Sequence, residues 1–198
     1  MKHLMKAAML LAFIALLVAG CGGPKKATTT TSVATENVVQ NVPPWFTKLA
    51  QDPNYYFGKG TATSRDMQSA IDKANQAALD QIGQAVETKF DGLRKTFREE
   101  VGTADESQYL EQFSNVTKRV VSQVLNSVQE ENSQTLNEQG VFRVYIVLRM
   151  PVGATLEALK NQISQQEELY TRFQSSKAQE ELNTEIEKYQ QWKQEQGH

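Results

Sequence analysis

Cysteine and histidine are scarce in this sequence, and both shortages exclude whole classes of chemistry. Cys21 is the only cysteine in 198 residues, so a disulfide within one chain is impossible. The two histidines, His3 and His198, stand near or at the two ends. A domain between them lacks the base of Ser-His and Cys-His catalytic pairs and the commonest metal ligand. We therefore predict that the chain is not an enzyme and holds neither a metal nor a cofactor.

An excess of basic residues is missing as well. The chain has 21 Lys and Arg residues against 23 Asp and Glu residues, a formal net charge of −2. Proteins that bind nucleic acids carry a clustered basic face. We therefore exclude nucleic acid as a partner. Because no catalytic constellation occurs, we also expect no small-molecule substrate.

Two patterns that resemble catalytic or phosphate-binding motifs fail on spacing. Neighbouring acids on a helix point about 100° apart, so they cannot face one substrate as the two carboxylates of a glycosidase do. The Gly58-Lys59-Gly60 stretch lacks the glycine spacing of phosphate-binding loops and dinucleotide-binding turns. We interpret the acids as solvated surface and the glycines as a packing feature. The acid pairs are Glu99-Glu100, Glu130-Glu131, Glu167-Glu168 and Glu180-Glu181.

The first twenty residues have the layout of a secretory signal. Lys2 and Lys6 precede an apolar run, Ala7 to Ala19, that contains no acid and ends at Gly20. A charged start, an apolar core and small residues before the cleavage site are typical of such leaders. The run is too short to span a bilayer as a helix. We therefore predict that residues 1–20 are a signal peptide that is removed.

The residues around the lone cysteine indicate what happens after export. Val18, Ala19, Gly20 and Cys21 resemble the bacterial lipobox, in which the leader is cut before a cysteine that carries a diacylglycerol and a further acyl chain such as palmitate. The resemblance implies that Cys21 is the lipid attachment site. The alternatives are a chance cysteine beside a transmembrane anchor or an ordinary signal peptide.

Several acyl chains hold a protein stably at a membrane, whereas one chain holds it only marginally. The residue after the cysteine is Gly22 rather than the aspartate that favours inner-membrane retention in enterobacterial lipoproteins. We therefore expect a lipid-anchored protein of the cell outer membrane.

A soft segment separates the anchor from the expected domain. Residues 21–42 are rich in Gly, Thr and small polar side chains, which is typical of a flexible tether. The domain should begin at Pro43 and end at Pro151. Trp45 and Phe46 are interpreted as an apolar plug over one end of the core, with a binding patch as the alternative.

The next residues predict a strand followed by a long helix. Asn54 to Thr63 is rich in aromatic residues and Thr, and its two glycines, Gly58 and Gly60, leave a bare strip on one face of the strand. From Asp66 to about Gly102, apolar residues recur every three or four positions. This stripe is rich in alanine in its first half and in bulky residues in its second. We expect the alanine-rich half to lie against the glycine strip, with Ser64 or Asp66 as the helix N-cap.

A second amphipathic helix and a β-hairpin complete the predicted domain. The helix begins after Asp105 or Ser107, and the hairpin turns between Asn137 and Gly140. One face of its second strand is core, and the other is a mixed surface able to meet a neighbour. Residues 152–198 form a long, polar, helical tail. Its first half should pack on the domain, whereas the half from Gln174 should project, pair with another chain or fray.

The order of these features resembles a known family. A lipobox, a Thr-rich tether, "PPWF", a Gly-x-Gly strand, "AIDKANQAAL" and a hairpin closing on "FRVYIVLRMP" resemble the bacterial surface lipoproteins named after the twenty-kilodalton Helicobacter lipoprotein. They are also similar to flagellar outer-membrane lipoproteins. The resemblance covers residues 43–151, and the tail after Pro151 falls outside it. It implies a small, non-enzymatic α+β domain, in some members assembled into rings around the flagellar basal body.

The sequence thus predicts an α+β fold: a small antiparallel sheet of one N-terminal strand and a C-terminal hairpin, two packed amphipathic helices and a long C-terminal helix. The expected function is that of a structural or interaction module on the outer membrane, self-assembling or flagellum-associated. Its partners would be the membrane, through the lipid anchor, and further copies of itself or other envelope proteins. The alternative is a spacer that binds peptidoglycan non-covalently.

Overall fold

The structure is a computed structural model that describes residues 42–49, 52–101 and 107–197. The signal peptide, the lipobox with Cys21, nearly all of the tether, Gly102 and Asp105 lie outside the described residues. The predicted α+β class is confirmed. The elements are α1 (Pro44–Thr47), β1 (Tyr55–Ser64), α2 (Met67–Val101), α3 (Ser107–Leu125), β2 (Gln129–Glu138), β3 (Val141–Pro151), α4 (Val152–Ser164), α5 (Glu167–Phe173) and α6 (Lys177–Glu195).

The described strands form one antiparallel sheet in the order β1-β3-β2. β3 therefore lies in the middle, where Ile146 pairs with Gly60 of β1 and with Ser133 of β2. Gln139 and Gly140 form the two-residue turn of the hairpin, with φ of 54° and 85°. Positive φ at both positions suits the turn that matches the twist of paired strands. The predicted combination of one early strand and a later hairpin is confirmed.

Helix α2 lies directly against β1, as the glycine strip predicts. A Cβ atom at Gly58 would collide with the carbonyl oxygen of Ala78, and one at Gly60 would collide with that of Ala74. Both alanines are fully buried. The helix begins where Asp66 Oδ1 accepts a hydrogen bond of 2.7 Å from Ser69 N, which is the geometry of an N-cap. Asp66, rather than Ser64, therefore caps α2.

The region after Pro151 folds back onto the domain in three helices. The expectation that the half from Gln174 projects, pairs or frays is wrong, because Ala178 and Leu182 of α6 are fully buried. A stripe with a spacing of four residues is enough to bury one side of an otherwise polar helix. The buried residues that α4, α5 and α6 add to the common core include Leu156, Leu159, Ile163, Leu169, Phe173, Ala178, Leu182 and Ile186.

The sheet face opposite the helices is covered by the first described residues. The ring of Phe46 meets the ring of Tyr145 with 5.0 Å between centroids, and Lys59 Nζ donates to Phe46 O at 3.2 Å. Trp45 and Phe46 therefore do not cover one end of the core, and the interpretation of these residues as a plug there is wrong. Tyr145 and Val147 alternate with the core-facing residues of β3 and are themselves buried. This face is thus less open than the sequence predicts.

Candidate functional site

A groove of about 500 Å³ opens where the start of β1 meets the middle of α2 and the last helix, α6. Its volume lies within the range of pockets that hold small ligands. Polar and aromatic side chains from three elements and the segment before β1 converge there, which makes it the candidate site. The residues that line it are Pro53, Asn54, Tyr56, Lys89, Val152, Glu185, Lys188 and Tyr189.

Tyr56 lines the groove, whereas its phenol oxygen is buried. It lies on the helix-facing side of β1, two positions before Gly58, and its Oη is buried without a hydrogen-bond partner among the described residues. The hydroxyl of Thr155 is nearby, but it donates to Val152 O at 2.7 Å and makes no bond of ordinary geometry with the phenol. Burial raises the pKa of Tyr56 to about 12. The phenol therefore stays protonated at neutral pH.

An ion pair crosses the groove from α2 to α6. Lys89 Nζ donates to Glu185 Oε1, and each side chain is a little over a quarter exposed. Lys188 lies three positions after Glu185 on α6 and makes no ion pair or hydrogen bond within the described part of the chain. The lining holds two lysines and one carboxylate. The lining itself therefore carries one lysine that forms no ion pair within the described residues.

The ring of Tyr189 lines one side of the groove and belongs to a small aromatic cluster. The rings of Tyr189 and Trp192 lie 5.5 Å apart, and that of Trp192 lies 5.7 Å from Tyr55 on β1. Burial raises the pKa of Tyr189. The ring of Tyr189 occupies the space that a Cβ atom would fill at Gly153 in α4. The missing side chain of Gly153 thus lets α6 approach α4 and sets the position of this cluster.

The two edges of the sheet differ in a way that bears on interactions with other chains. The edge of β1 is closed at Lys59: Gln81 Nε2 donates to Lys59 O at 2.8 Å, and Lys59 N donates to Gln81 Oε1 at 3.0 Å. On β2, every residue except Leu136 and Glu138 is exposed, on both faces of the strand. Its outer edge has no strand partner within the described sheet. Exposed strand edges are templates for pairing with another chain.

No family model, no curated protein and no solved structure matches this chain. The resemblance to the Helicobacter lipoprotein family therefore stays a prediction. No helix within residues 42–49, 52–101 or 107–197 is long and apolar enough to cross a bilayer. The same residues contain no group of three or more His, Cys, Asp or Glu side chains able to hold a metal ion.

The candidate site residues named from the sequence do not line the groove. Cys21 and the rest of the lipobox lie outside the described residues. The described acid pairs do not line the groove, and the partners of neighbouring acids diverge. Glu130 accepts from Ser133, whereas Glu131 pairs with Arg149 at 2.8 Å. This divergence agrees with the interpretation of those acids as surface.

Sequence reasoning missed the groove residues because their positions on the chain are distant. Lys89 and Glu185 are 96 residues apart, and nothing in the local pattern of either helix indicates that they meet. One weak signal was present. The apolar stripe of α6 indicates which side of that helix faces the domain, and Lys188 and Tyr189 come directly after its last buried residue, Ile186.

Proposed function

We propose that this chain is a lipid-anchored lipoprotein of the bacterial outer membrane whose domain acts as a self-associating interaction module. The anchor is Cys21, which follows an apolar leader and precedes a tether of small polar residues. The single observation that carries the interaction role is β2, a strand exposed on both faces and along an unpaired edge. A link to the flagellum belongs to the proposal only through the family resemblance.

A second copy of the chain is the occupant that fits the edge of β2. Homotypic pairing fails when like charges meet across two strands. Two of the three acids on β2 are paired within their own sheet: Glu131 bonds Arg149 at 2.8 Å and Glu138 bonds Arg143 at 3.1 Å. The rest of the strand is mostly uncharged and polar, so two copies meet with little repulsion.

Lipid labelling tests the anchor. Cells that grow with radiolabelled palmitate should incorporate it into the wild-type chain. Cys21→Ser should remove the label and leave the precursor uncleaved, because the thiol is the acceptor of the first lipid. Label in the variant, or an unmodified thiol in the wild type, contradicts the proposal.

Paired proline variants test the edge. Backbone N–H groups of an antiparallel strand point alternately towards its partner and away from it. Of Gln134→Pro and Thr135→Pro, one therefore removes an N–H that bonds to β3 and lowers stability, whereas the other removes an N–H that points away from the sheet. The variant that removes the outward N–H should keep the melting temperature and lose association, measured by sedimentation of the chain from Asn41 onward. A wild-type chain that stays monomeric at millimolar concentration contradicts self-association.

The groove favours the alternative function, non-covalent binding to peptidoglycan. The ring of Tyr189 beside Lys89 and Lys188 suits a ligand with both apolar and charged parts. Co-sedimentation of the full chain with purified sacculi tests this function. A chain that stays in the supernatant under low salt excludes it and leaves the anchored module unaffected.

A further inference from the structure

We infer that two copies of the chain pair β2 antiparallel to β2 about a two-fold axis at Thr135. The pairing joins the two three-stranded sheets into a single six-stranded sheet. This dimer rests on the proposed self-association and adds to it a register, a number of copies and a point at which assembly stops. It needs neither the lipid anchor nor a particular location.

The hydrogen bonds of the sheet show which backbone groups of β2 point outward. On β1, Lys59 N donates to Gln81 Oε1 and Lys59 O accepts from Gln81 Nε2, so both backbone groups of Lys59 face the outer edge. Lys59 lies opposite Val147, which therefore bonds on its other side, with Asn132 of β2. These bonds alternate along each strand. The residues of β2 with outward N–H and C=O groups are thus Ser133, Thr135 and Asn137.

The regular part of β2 has its midpoint at Thr135. The pairing of β2 with β3 shifts between Glu130 and Asn132, and the hairpin turn begins at Gln139. Such a shift disrupts the ladder locally. Residues 132–138 are therefore the unbroken stretch that a second copy can meet. A two-fold axis at the midpoint uses all of this stretch, whereas any other centre moves the irregularity or the turn into the pairing.

No like charges face each other in this register. Thr135 lies opposite Thr135 of the second copy, and cross-strand Thr pairs are favourable. A centre at Gln134 would instead bring Glu130 close to Glu138 of the second copy, and such pairs of like charge are destabilising. Most side chains of the stretch are exposed and free to meet a partner. The other opposite pairs are Ser133 with Asn137, Gln134 with Leu136, and Asn132 with Glu138.

The assembly should stop at two copies. A two-fold contact uses the same surface on both chains, so the pairing covers β2 in each copy. The opposite edge of the described sheet, β1, is closed at Lys59 by the side chain of Gln81. Phe46 of α1 covers the face of the sheet opposite the helices. Both α1 segments therefore lie on one face of the joined sheet, and the two tethers can lead to one surface.

Disulfide crosslinking of single-cysteine variants tests this register. Residues 41–198 form a compact unit that contains the described core and lacks cysteine, so an introduced thiol is the only one. Thr135→Cys should crosslink to its own copy on mild oxidation, because the opposite Cα atoms of a hydrogen-bonded pair lie about 5.5 Å apart. Ser133→Cys and Asn137→Cys should each give at least about tenfold less disulfide alone, since like residues lie roughly 13 Å apart along the strands. An equal mixture of these two variants should crosslink to within about twofold of Thr135→Cys.

Thr61→Cys is the matched control. Thr61 is an exposed threonine of β1, two residues after Lys59, so its backbone groups point to the closed edge. This variant should give no more disulfide than Ser133→Cys alone. Equal crosslinking of Thr61→Cys and Thr135→Cys overturns the register, as does a mixture that crosslinks no better than its two components. Sedimentation of the chain without an introduced cysteine should show a dimer, and species larger than two copies overturn the closed assembly.

The outcomes for this dimer and for the proposed function can be told apart. A chain that associates but gives none of the expected disulfides refutes this pairing and leaves self-association standing. A chain that stays monomeric at millimolar concentration refutes both. The register also distinguishes the two proline variants: Thr135→Pro removes an outward N–H and should abolish association, whereas Gln134→Pro removes a bond to β3 and should lower the melting temperature. A Thr135→Pro chain that associates like the wild type overturns the pairing.

Discussion

The two halves of α2 pack by opposite means. In the first half, Ala70, Ala74 and Ala78 bring the helix backbone against β1, where glycines leave room. In the second half, Phe90 and Phe97 fill the space between α2 and other helices with large rings. All five side chains are at most 2% exposed. One helix thus packs close to its neighbour along its first half and farther from its neighbours along its second half.

The difference teaches which changes each half tolerates. Where two backbones touch, an added methyl group has nowhere to go, and overpacking is the hazard. Where rings fill a wide space, a removed side chain leaves a cavity. The small-residue half should therefore be sensitive to additions and the bulky half to deletions.

The largest expected effect is a deletion beside the bulky half. Phe173 of α5 meets Phe97 and Phe113 with ring centroids 5.4 and 5.7 Å apart. Phe173→Ala should lower the free energy of unfolding by about 3–5 kcal/mol, because the cavity lies at the junction of three helices. Urea unfolding followed by circular dichroism measures the change.

Tyr170→Ala is the matched control, since Tyr170 lies on the same helix and is 40% exposed. It should cost less than about 1 kcal/mol. If both variants lose the same stability, α5 does not share the core of the domain.

The next effect is an addition to the small-residue half. Gly60→Ala places a Cβ atom on the carbonyl oxygen of Ala74, so the helix and strand must separate. We expect a loss of about 3 kcal/mol by the same unfolding measurement. Gly83→Ala is the control: Gly83 is also buried, but the added Cβ atom would lie 3.6 Å from Leu125 Cδ1, an ordinary contact. A neutral Gly60→Ala would contradict the close packing of α2 on β1.

Much of the fold was predictable because its signals are local. The spacing of Gly58 and Gly60 and the alanines of α2 are features of short stretches, and each appears in the structure as predicted. The residues from Asn137 to Gly140 likewise predict the hairpin turn. The polarity of the segment after Gln174 misled the prediction, because a narrow stripe of three residues, Ala178, Leu182 and Ile186, is enough to dock α6.

The groove was not predictable for the opposite reason. Its lining comes from residues 53–56, from α2 and from residues 152–189, so it exists only after long-range packing. The contact of Tyr189 with Gly153 depends on the angle between α4 and α6, which the sequence pattern does not specify. The anchor at Cys21 depends on sequence alone and gains no support from the described residues.

A smaller effect of opposite sign refines the comparison. Gly92 lies in the bulky half of α2, and a Cβ atom there would meet nothing within 4 Å. Gly92→Ala should raise the free energy of unfolding by about 0.5–1 kcal/mol, because alanine favours a helix interior over glycine. Gly140→Ala is the control and should destabilise, since Gly140 has a φ of 85°. A loss of stability in Gly92→Ala would mean that this half also tolerates no addition.

The smallest effect concerns the start of the small-residue half and depends on pH. Hydrogen bonds from Ser69 lower the pKa of Asp66 below its ordinary value of 3.8. A carboxylate with a lowered pKa in the folded state stabilises the fold above its unfolded pKa, and this contribution is lost as the pH falls through the folded value. Asparagine caps a helix about as well as aspartate but does not titrate in this range. Asp66→Asn should therefore unfold like the wild type at neutral pH and lose less stability below pH 3.8.

Urea unfolding of both chains at several acidic pH values measures this difference. Asp72→Asn, which removes an exposed carboxylate that caps no helix, should follow the wild-type curve. Identical acid dependence in Asp66→Asn and Asp72→Asn would show that the cap does not stabilise α2.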